Sequence, residues 1–195
     1  VGRGGDGGNL VIGGKQVFEE VQPGIEAGIE VFNIDVLGAG ADDADGAANK
    51  PSSLGTVTST QGALKVVNIE TAAEFLGGNT FASLEIRDGF NAIGANSESG
   101  DLQRVNANGL LGDLYLGTDQ HIINADAVTA LGGGDVTFKG AYTGTEDGQE
   151  YTVVTGSGDD SFDIRIDGDA VDAVDEGFSL DMGNGDNAAT VQVVT

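Results

Sequence analysis

The sequence has no cysteine and no tryptophan, one histidine, two prolines and only eight lysines and arginines against 32 aspartates and glutamates. Without cysteine there is no disulfide framework, thiolate metal site or thiol nucleophile. With His121 as the single histidine, a histidine-rich zinc site is excluded, and the HExxH, nucleophile-elbow and phosphate-loop patterns are missing too. A formal charge of −24 leaves no basic patch for a polyanion, so nucleic acid and an anionic membrane surface are excluded as partners. No apolar run approaches the ~18 residues of a helical span, and direct membrane insertion is not expected. The first residues, Val-Gly-Arg-Gly-Gly, carry no signal-peptide pattern, so the chain reads as a fragment or processed product whose secretion signal lies outside it.

What the sequence has in excess is glycine, at 34 positions, alongside 39% apolar residues. Collagen needs abundant proline and a strict three-residue period, and Pro23 and Pro51 are the only prolines. Short apolar alternations argue against a flexible linker, so the glycines are assigned to tight turns between many short strands. The surplus of carboxylates repels itself, and cation binding is the simplest way to offset it.

One pattern recurs five times: apolar, two variable residues, apolar, one variable, apolar. It occurs at Ile29-Phe32-Ile34, Leu64-Val67-Ile69, Phe81-Leu84-Ile86, Leu102-Val105-Ala107 and Leu111-Leu114-Leu116. The last two apolar positions share one face of a strand, and the first lies in the turn that feeds it. Beyond Asp135 the alternation is clearer, in Val136/Phe138, Phe162/Ile164/Ile166, Phe178/Leu180/Met182 and Val191/Val193. Half-buried strands separated by glycine, asparagine and aspartate turns, at unequal intervals, predict an all-β fold: an irregular right-handed parallel β-helix, or β-solenoid. A β-sandwich is the alternative. The expected organisation is a single unit over 1–195, or part of a longer chain, with a loop insertion at 38–51 and a calcium-binding part over 132–195. Short helical turns are expected at Thr71–Phe75 and Val171–Glu176.

The pattern with chemical content is Gly-x-Gly-x-Asp/Asn. It occurs at Gly2–Asp6, Gly38–Asp42 and Gly156–Asp160, and with asparagine at Gly5–Asn9 and Gly183–Asn187. Glycines let carbonyl oxygens converge, carboxylates supply hard anionic ligands, and a following apolar residue such as Phe162 anchors the turn, which is chemistry suited to Ca2+. The candidate metal ligands are Asp6, Gly38, Gly40, Asp42, Gly156, Gly158, Asp159, Asp160, Asp163, Gly183, Gly185, Asp186 and Asn187. Asp167-Gly168-Asp169 with Asp172 and Asp175 is a further acidic run without EF-hand spacing, as compatible with a solvated face as with a site.

These segments resemble degenerate copies of the nonapeptide calcium repeats of RTX proteins, with Gly156 to Phe162 the nearest copy. Thr155 stands where the family has another glycine, and Gly156 and Gly183 are not in tandem. Together with strands such as LKVVNIE and FASLEIR, the chain is similar to calcium-dependent S-layer proteins of Gram-negative bacteria. That resemblance implies type I secretion, calcium-driven folding at the cell surface and self-assembly with copies of itself into a sheet or filament, with outer-membrane polysaccharide as a further candidate partner.

Other functions are weighed against this structural, non-enzymatic one. Gly2–Gly7 fits a dinucleotide-binding glycine pattern but has no preceding strand. Carboxylate pairs at Glu19-Glu20, Asp42-Asp43 and Asp159-Asp160 match the needs of a polysaccharide-active enzyme, but close pairs arise by chance among 32 acids. An adhesin or ligand-binding module of a large secreted protein needs the same rod as a lattice protein. Unpaired strands at the two ends of a solenoid are the expected contact between subunits.

Overall fold

The computed structural model describes residues 7–12, 29–37, 51–59, 63–72, 82–90, 102–118, 123, 125–142, 151–167 and 178–194. These form strands β1 (Leu10–Ile12), β2 (Val31–Val36), β3 (Ser52–Ser59), β4 (Val66–Thr71), β5 (Leu84–Phe90), β6 (Leu102–Gly109) and β7 (Leu114–Leu116). They continue as β8 (Ala125–Ala130), β9 (Val136–Tyr142), β10 (Tyr151–Thr155), β11 (Ser161–Asp167), β12 (Phe178–Asp181) and β13 (Ala188–Val194).

The odd-numbered strands form a seven-stranded sheet in the order β1-β3-β5-β7-β9-β11-β13, and the even-numbered strands a six-stranded sheet in the order β2-β4-β6-β8-β10-β12. The chain therefore passes from one sheet to the other at every step, and each coil contributes one strand to each. The pairings are parallel throughout, from β1 on β3 to β11 on β13 and from β2 on β4 to β10 on β12. This is the expected β-solenoid; a sandwich of antiparallel hairpins is excluded.

The two-sheet arrangement explains the unequal spacing of the sequence pattern. Its copies at Ile29, Leu64 and Leu102 lead into β2, β4 and β6, whereas those at Phe81 and Leu111 lead into β5 and β7. In the even-numbered sheet the first two steps are similar: Asn33 lies beside Asn68, 35 residues on, and Asn68 beside Asn106, 38 on. Toward the C-terminus the coils shorten to between 22 and 27 residues.

The inward residues of both sheets make one continuous core, including Ile34, Leu54, Val67, Ile69, Leu84, Ile86, Val105, Leu114, Leu116, Val128, Phe138, Val153 and Ile164. Aromatic rings stack from coil to coil: Phe138 meets Phe162 edge-on at 6.1 Å, and Tyr151 lies on Phe178 at 5.3 Å and against Tyr142 at 5.2 Å. Three sequence expectations shift by a residue or by environment. Leu110, not Leu111, is the buried residue before β7, because its amide turns back on the Ala107 carbonyl; Ile29 is 41% exposed; and Thr71 closes β4 as a buried strand residue, the rest of the expected helical turn, 73–75, lying outside the described residues. The helical turn at Val171–Glu176 and most of the 38–51 insertion lie outside the described residues.

Candidate functional site: stacked glycine–aspartate turns and an open coil

Each of the last coils enters the odd-numbered sheet through a turn containing Gly-Asp: Gly112-Asp113 before β7, Gly134-Asp135 before β9, Gly158-Asp159 before β11 and Gly185-Asp186 before β13. The strand registers place these turns directly over one another. Glycine is required because the coils approach through their backbones. A Cβ on Gly185 would fall on the Gly158 carbonyl, one on Gly158 on the Gly134 carbonyl, and one on Gly134 on the Gly112 carbonyl. Gly183 is stacked over Gly156 in the same way and holds φ +60°, in the left-handed region.

The aspartates tie these coils together. Asp135 N–H donates to Asp113 Oδ1 at 3.2 Å, Asp159 N–H to Asp135 Oδ1 at 2.9 Å and Asp186 N–H to Asp159 Oδ1 at 2.9 Å. The column starts at Ser83, whose hydroxyl oxygen accepts from Asp113 N–H at 2.9 Å. Each carboxylate satisfies a backbone donor of the next coil that the ladder leaves open at the turn. Tyr115 leans on this column, its hydroxyl 3.4 Å from Asp113 Oδ2. Partial burial, followed by the charges of Asp113, Asp135 and Glu85, holds its phenol above the ordinary tyrosine range.

Asp160 belongs to a second, inner column. It is only 2% exposed, yet Oδ1 accepts the Val136 amide at 2.9 Å and Oδ2 accepts the Thr155 hydroxyl at 2.6 Å. One coil on, Asn187 occupies the matching position. Its Oδ1 accepts Asp160 N–H at 2.8 Å, while its Nδ2 donates to the Met182 carbonyl at 2.8 Å.

Of the sequence candidates, Gly156, Gly158, Asp159, Asp160, Gly183, Gly185, Asp186 and Asn187 are thus brought together in stacked turns one 27-residue coil apart. Asp163 is not with them. It lies on the outer face of β11, in register with Lys139 of β9. Asp6, Gly38, Gly40 and Asp42 lie outside the described residues, as do His121, Glu19-Glu20, Asp42-Asp43, Asp169, Asp172 and Asp175. Among the described residues no three acidic or histidine side chains converge on one point where a metal ion would sit. The Oδ1 atoms of Asp113, Asp135 and Asp159 each accept a backbone amide of the next coil.

Sequence reasoning missed Asp113 and Asp135. The signal was the Gly-Asp dipeptide one or two residues ahead of the strand, shared by all four turns, rather than the longer Gly-x-Gly-x-Asp pattern.

Two further features mark the surface. Among the described residues, all of β13 is exposed, with Val191 at 44% and Val193 at 59%, and Phe178, Leu180 and Met182 are only partly covered. On the outer face of the even-numbered sheet, a groove of about 480 Å³ is lined by Gln103, Arg104, Asn106, Asn108, Asp126, Ala127, Thr129 and Thr152. Comparison of the chain with family models, curated proteins and solved structures finds no match.

Proposed function

We propose that this chain is a structural, non-enzymatic β-solenoid module that self-assembles at its ends, and that calcium promotes the assembly. The observation that carries this proposal is the rod of parallel coils whose turns stack one acidic side chain over the next, from Asp113 to Asp186. β13 and β12 present apolar side chains in the same phase as the core of the preceding coils, beside strand edges that pair on one side only among the described residues. A rod of parallel coils grows by adding strands beside such edges.

Calcium enters through the charge. The column Asp113, Asp135, Asp159 and Asp186 repeats at the strand spacing, ~4.8 Å, on a chain of net charge −24. Bringing two such ends together raises the local density of carboxylates, and a divalent cation lowers that repulsion more effectively than a monovalent one. In this proposal the protein works outside a bacterial cell, reached by type I secretion, as part of a surface layer or filament.

The test is light scattering with circular dichroism on chelated protein titrated with calcium, and with magnesium as control. Growth of particle size with calcium supports the proposal; a particle that stays monomeric in millimolar calcium at high protein concentration overturns it. A second proposal, a ligand-binding module of a larger secreted protein, draws on the polar groove. Arg104 and Asp126 flank amide and hydroxyl groups there that suit a polysaccharide. Loss of glycan binding in Arg104→Ala, with unchanged particle size, would favour it.

A further inference from the structure

We infer that the outer face of the even-numbered sheet binds a linear glycan carrying an anionic substituent, with that substituent on Arg104 and the chain lying along the rod across β6, β8 and β10. The inference rests on the second reading above, the ligand-binding module, and names the ligand's chemistry and direction.

The groove follows from the strand registers. Arg104, Ala127 and Thr152 form one row across the three strands, and Asn106, Thr129 and Val154 form the next. Ala127 has the shortest side chain of its row, so Arg104 and Thr152 stand as walls on either side of it, around a volume of about 480 Å³. That size is within the range of small-molecule sites.

Several of the lining groups have no protein partner. Lys65 is held by Glu30 and Arg87 by Glu85, each at 2.9 Å. Arg104, in a chain with 32 acidic residues, makes no ion pair and no side-chain hydrogen bond among the described residues, and the Gln103 amide and Thr152 hydroxyl make none there either. An open guanidinium fork offers paired donors to a carboxylate or a phosphate. The amides and hydroxyls beside it suit the ring hydroxyls of a sugar.

Beyond the groove, the second row continues toward the N-terminus. Asn106 donates to Asn68 and Asn68 to Asn33, each through one N–H of an amide that carries two. One donor per coil is left over, repeating at the strand spacing of ~4.8 Å. Val66 and Val31 lie in register with Arg104 beside this ladder and give an apolar strip for the C–H face of a sugar ring. A polymer laid along the rod meets the pattern once per coil, whereas one laid along the strands does not.

Other ligands fit less well. β6, β8 and β10 are each paired on both sides, so they have no edge to which a peptide strand could add. No aromatic or large aliphatic side chain lines the groove to anchor a peptide. A densely charged polyanion meets Asp126 at the groove's border and a net charge of −24, so the anionic substituents are sparse along the glycan.

The test is an array of immobilised linear oligosaccharides bearing uronic acid, phosphate or no charge, with a poly-glutamate peptide as a further spot. It is probed with the parent chain, Arg104→Ala, Ala127→Tyr and Asn68→Ala. Position 104 is exposed and position 127 is half-buried on the outer face, so the first two variants are expected to keep the parent's circular dichroism. The parent is expected to be retained by charged oligosaccharides, with the uronic acid and phosphate spots separating the two sources of anion. Arg104→Ala is expected to weaken that retention roughly tenfold or more, and Ala127→Tyr, which fills the groove, to abolish it. Asn68→Ala is expected to weaken long oligosaccharides and spare short ones; parent-like binding of long ones would overturn the direction along the rod. Equal retention on neutral and charged spots, unchanged in Arg104→Ala, would overturn the anionic assignment while leaving glycan binding intact. Retention by poly-glutamate that Arg104→Ala abolishes would overturn the glycan in favour of a peptide. No retention by any oligosaccharide, or retention that survives Ala127→Tyr, would overturn the groove as a site together with the reading on which it rests.

Discussion

The two ends of the rod hold neighbouring coils together by different means. In the C-terminal coils, the turn carries the stacking: glycines allow backbone to lie on backbone, and Asp113, Asp135 and Asp159 each accept an amide from the next coil. In the N-terminal coils the stacking device sits in mid-strand. Asn33, Asn68 and Asn106 form an amide ladder on the outer face of the even-numbered sheet, with Asn68 donating to Asn33 at 2.8 Å and Asn106 to Asn68 at 3.2 Å. The charged device joins a carboxylate to main chain, which fixes the coil's length at its turn. The neutral one joins side chain to side chain, which fixes register while letting the coil length vary. Strand partners are 22 to 27 residues apart in the C-terminal coils, and from Leu84↔Leu114, 30 apart, to Leu10↔Val57, 47 apart, in the N-terminal ones.

The sharpest way to break this contrast is Gly134→Ala. Its Cβ would collide with the Gly112 backbone, and no side chain is available there to move aside. A loss of about 3 kcal/mol or more is expected by chemical denaturation, and a loss under 1 kcal/mol would mean that the coils are not stacked through their turns. Next is Asp160→Ala, which strands the Val136 amide and the Thr155 hydroxyl inside the protein. A cost of about 2 to 3 kcal/mol is expected, with increased exchange of the Val136 amide proton.

Tyr151 gives a smaller effect of opposite sign. Its hydroxyl is buried without a hydrogen-bond partner among the described residues, and burial, followed by the charge of Asp126, holds its pKa well above the ordinary value. The folded protein therefore keeps this proton where the unfolded chain releases it, so stability is present below about pH 10 and is lost as pH rises above that. Tyr151→Phe is expected to gain about 1 kcal/mol at neutral pH and to unfold less readily in alkali. A thermal melt at pH 7 and pH 11 checks both. The smallest effect is expected of Asn68→Ala, about 1 kcal/mol or less, because the ladder is partly solvated. A loss equal to that of Gly134→Ala would erase the distinction between the two devices.

The strands were legible in the sequence because a period of two with turn residues between leaves little else for the chain to do. Whether the solenoid had two sheets was not, because copies of one pattern from both sheets interleave. The distinguishing signal was small: asparagine fills the variable position between the last two apolar residues in β2, β4 and β6, as Asn33, Asn68 and Asn106, whereas β5 and β7 have Glu85 and Tyr115 there. The turn residues at 156–160 and 183–187 were found for their ligand chemistry, and the structure gives them a stacking role. Sequence alone does not separate these two uses, since glycine and aspartate serve a tight backbone contact and a cation equally well. Asp163 shows the same limit: its closeness in sequence to Asp160 says nothing of the outward face on which the strand places it.

The most direct test of the account is sedimentation equilibrium of the chain and of a Val191→Asp/Val193→Asp variant across a range of concentrations, in calcium and in chelator. The proposed assembly predicts that the parent chain associates, more strongly in calcium, and that the variant sediments as a folded monomer. A parent chain that stays monomeric at high concentration in calcium, or a variant that associates as well as the parent, would contradict it.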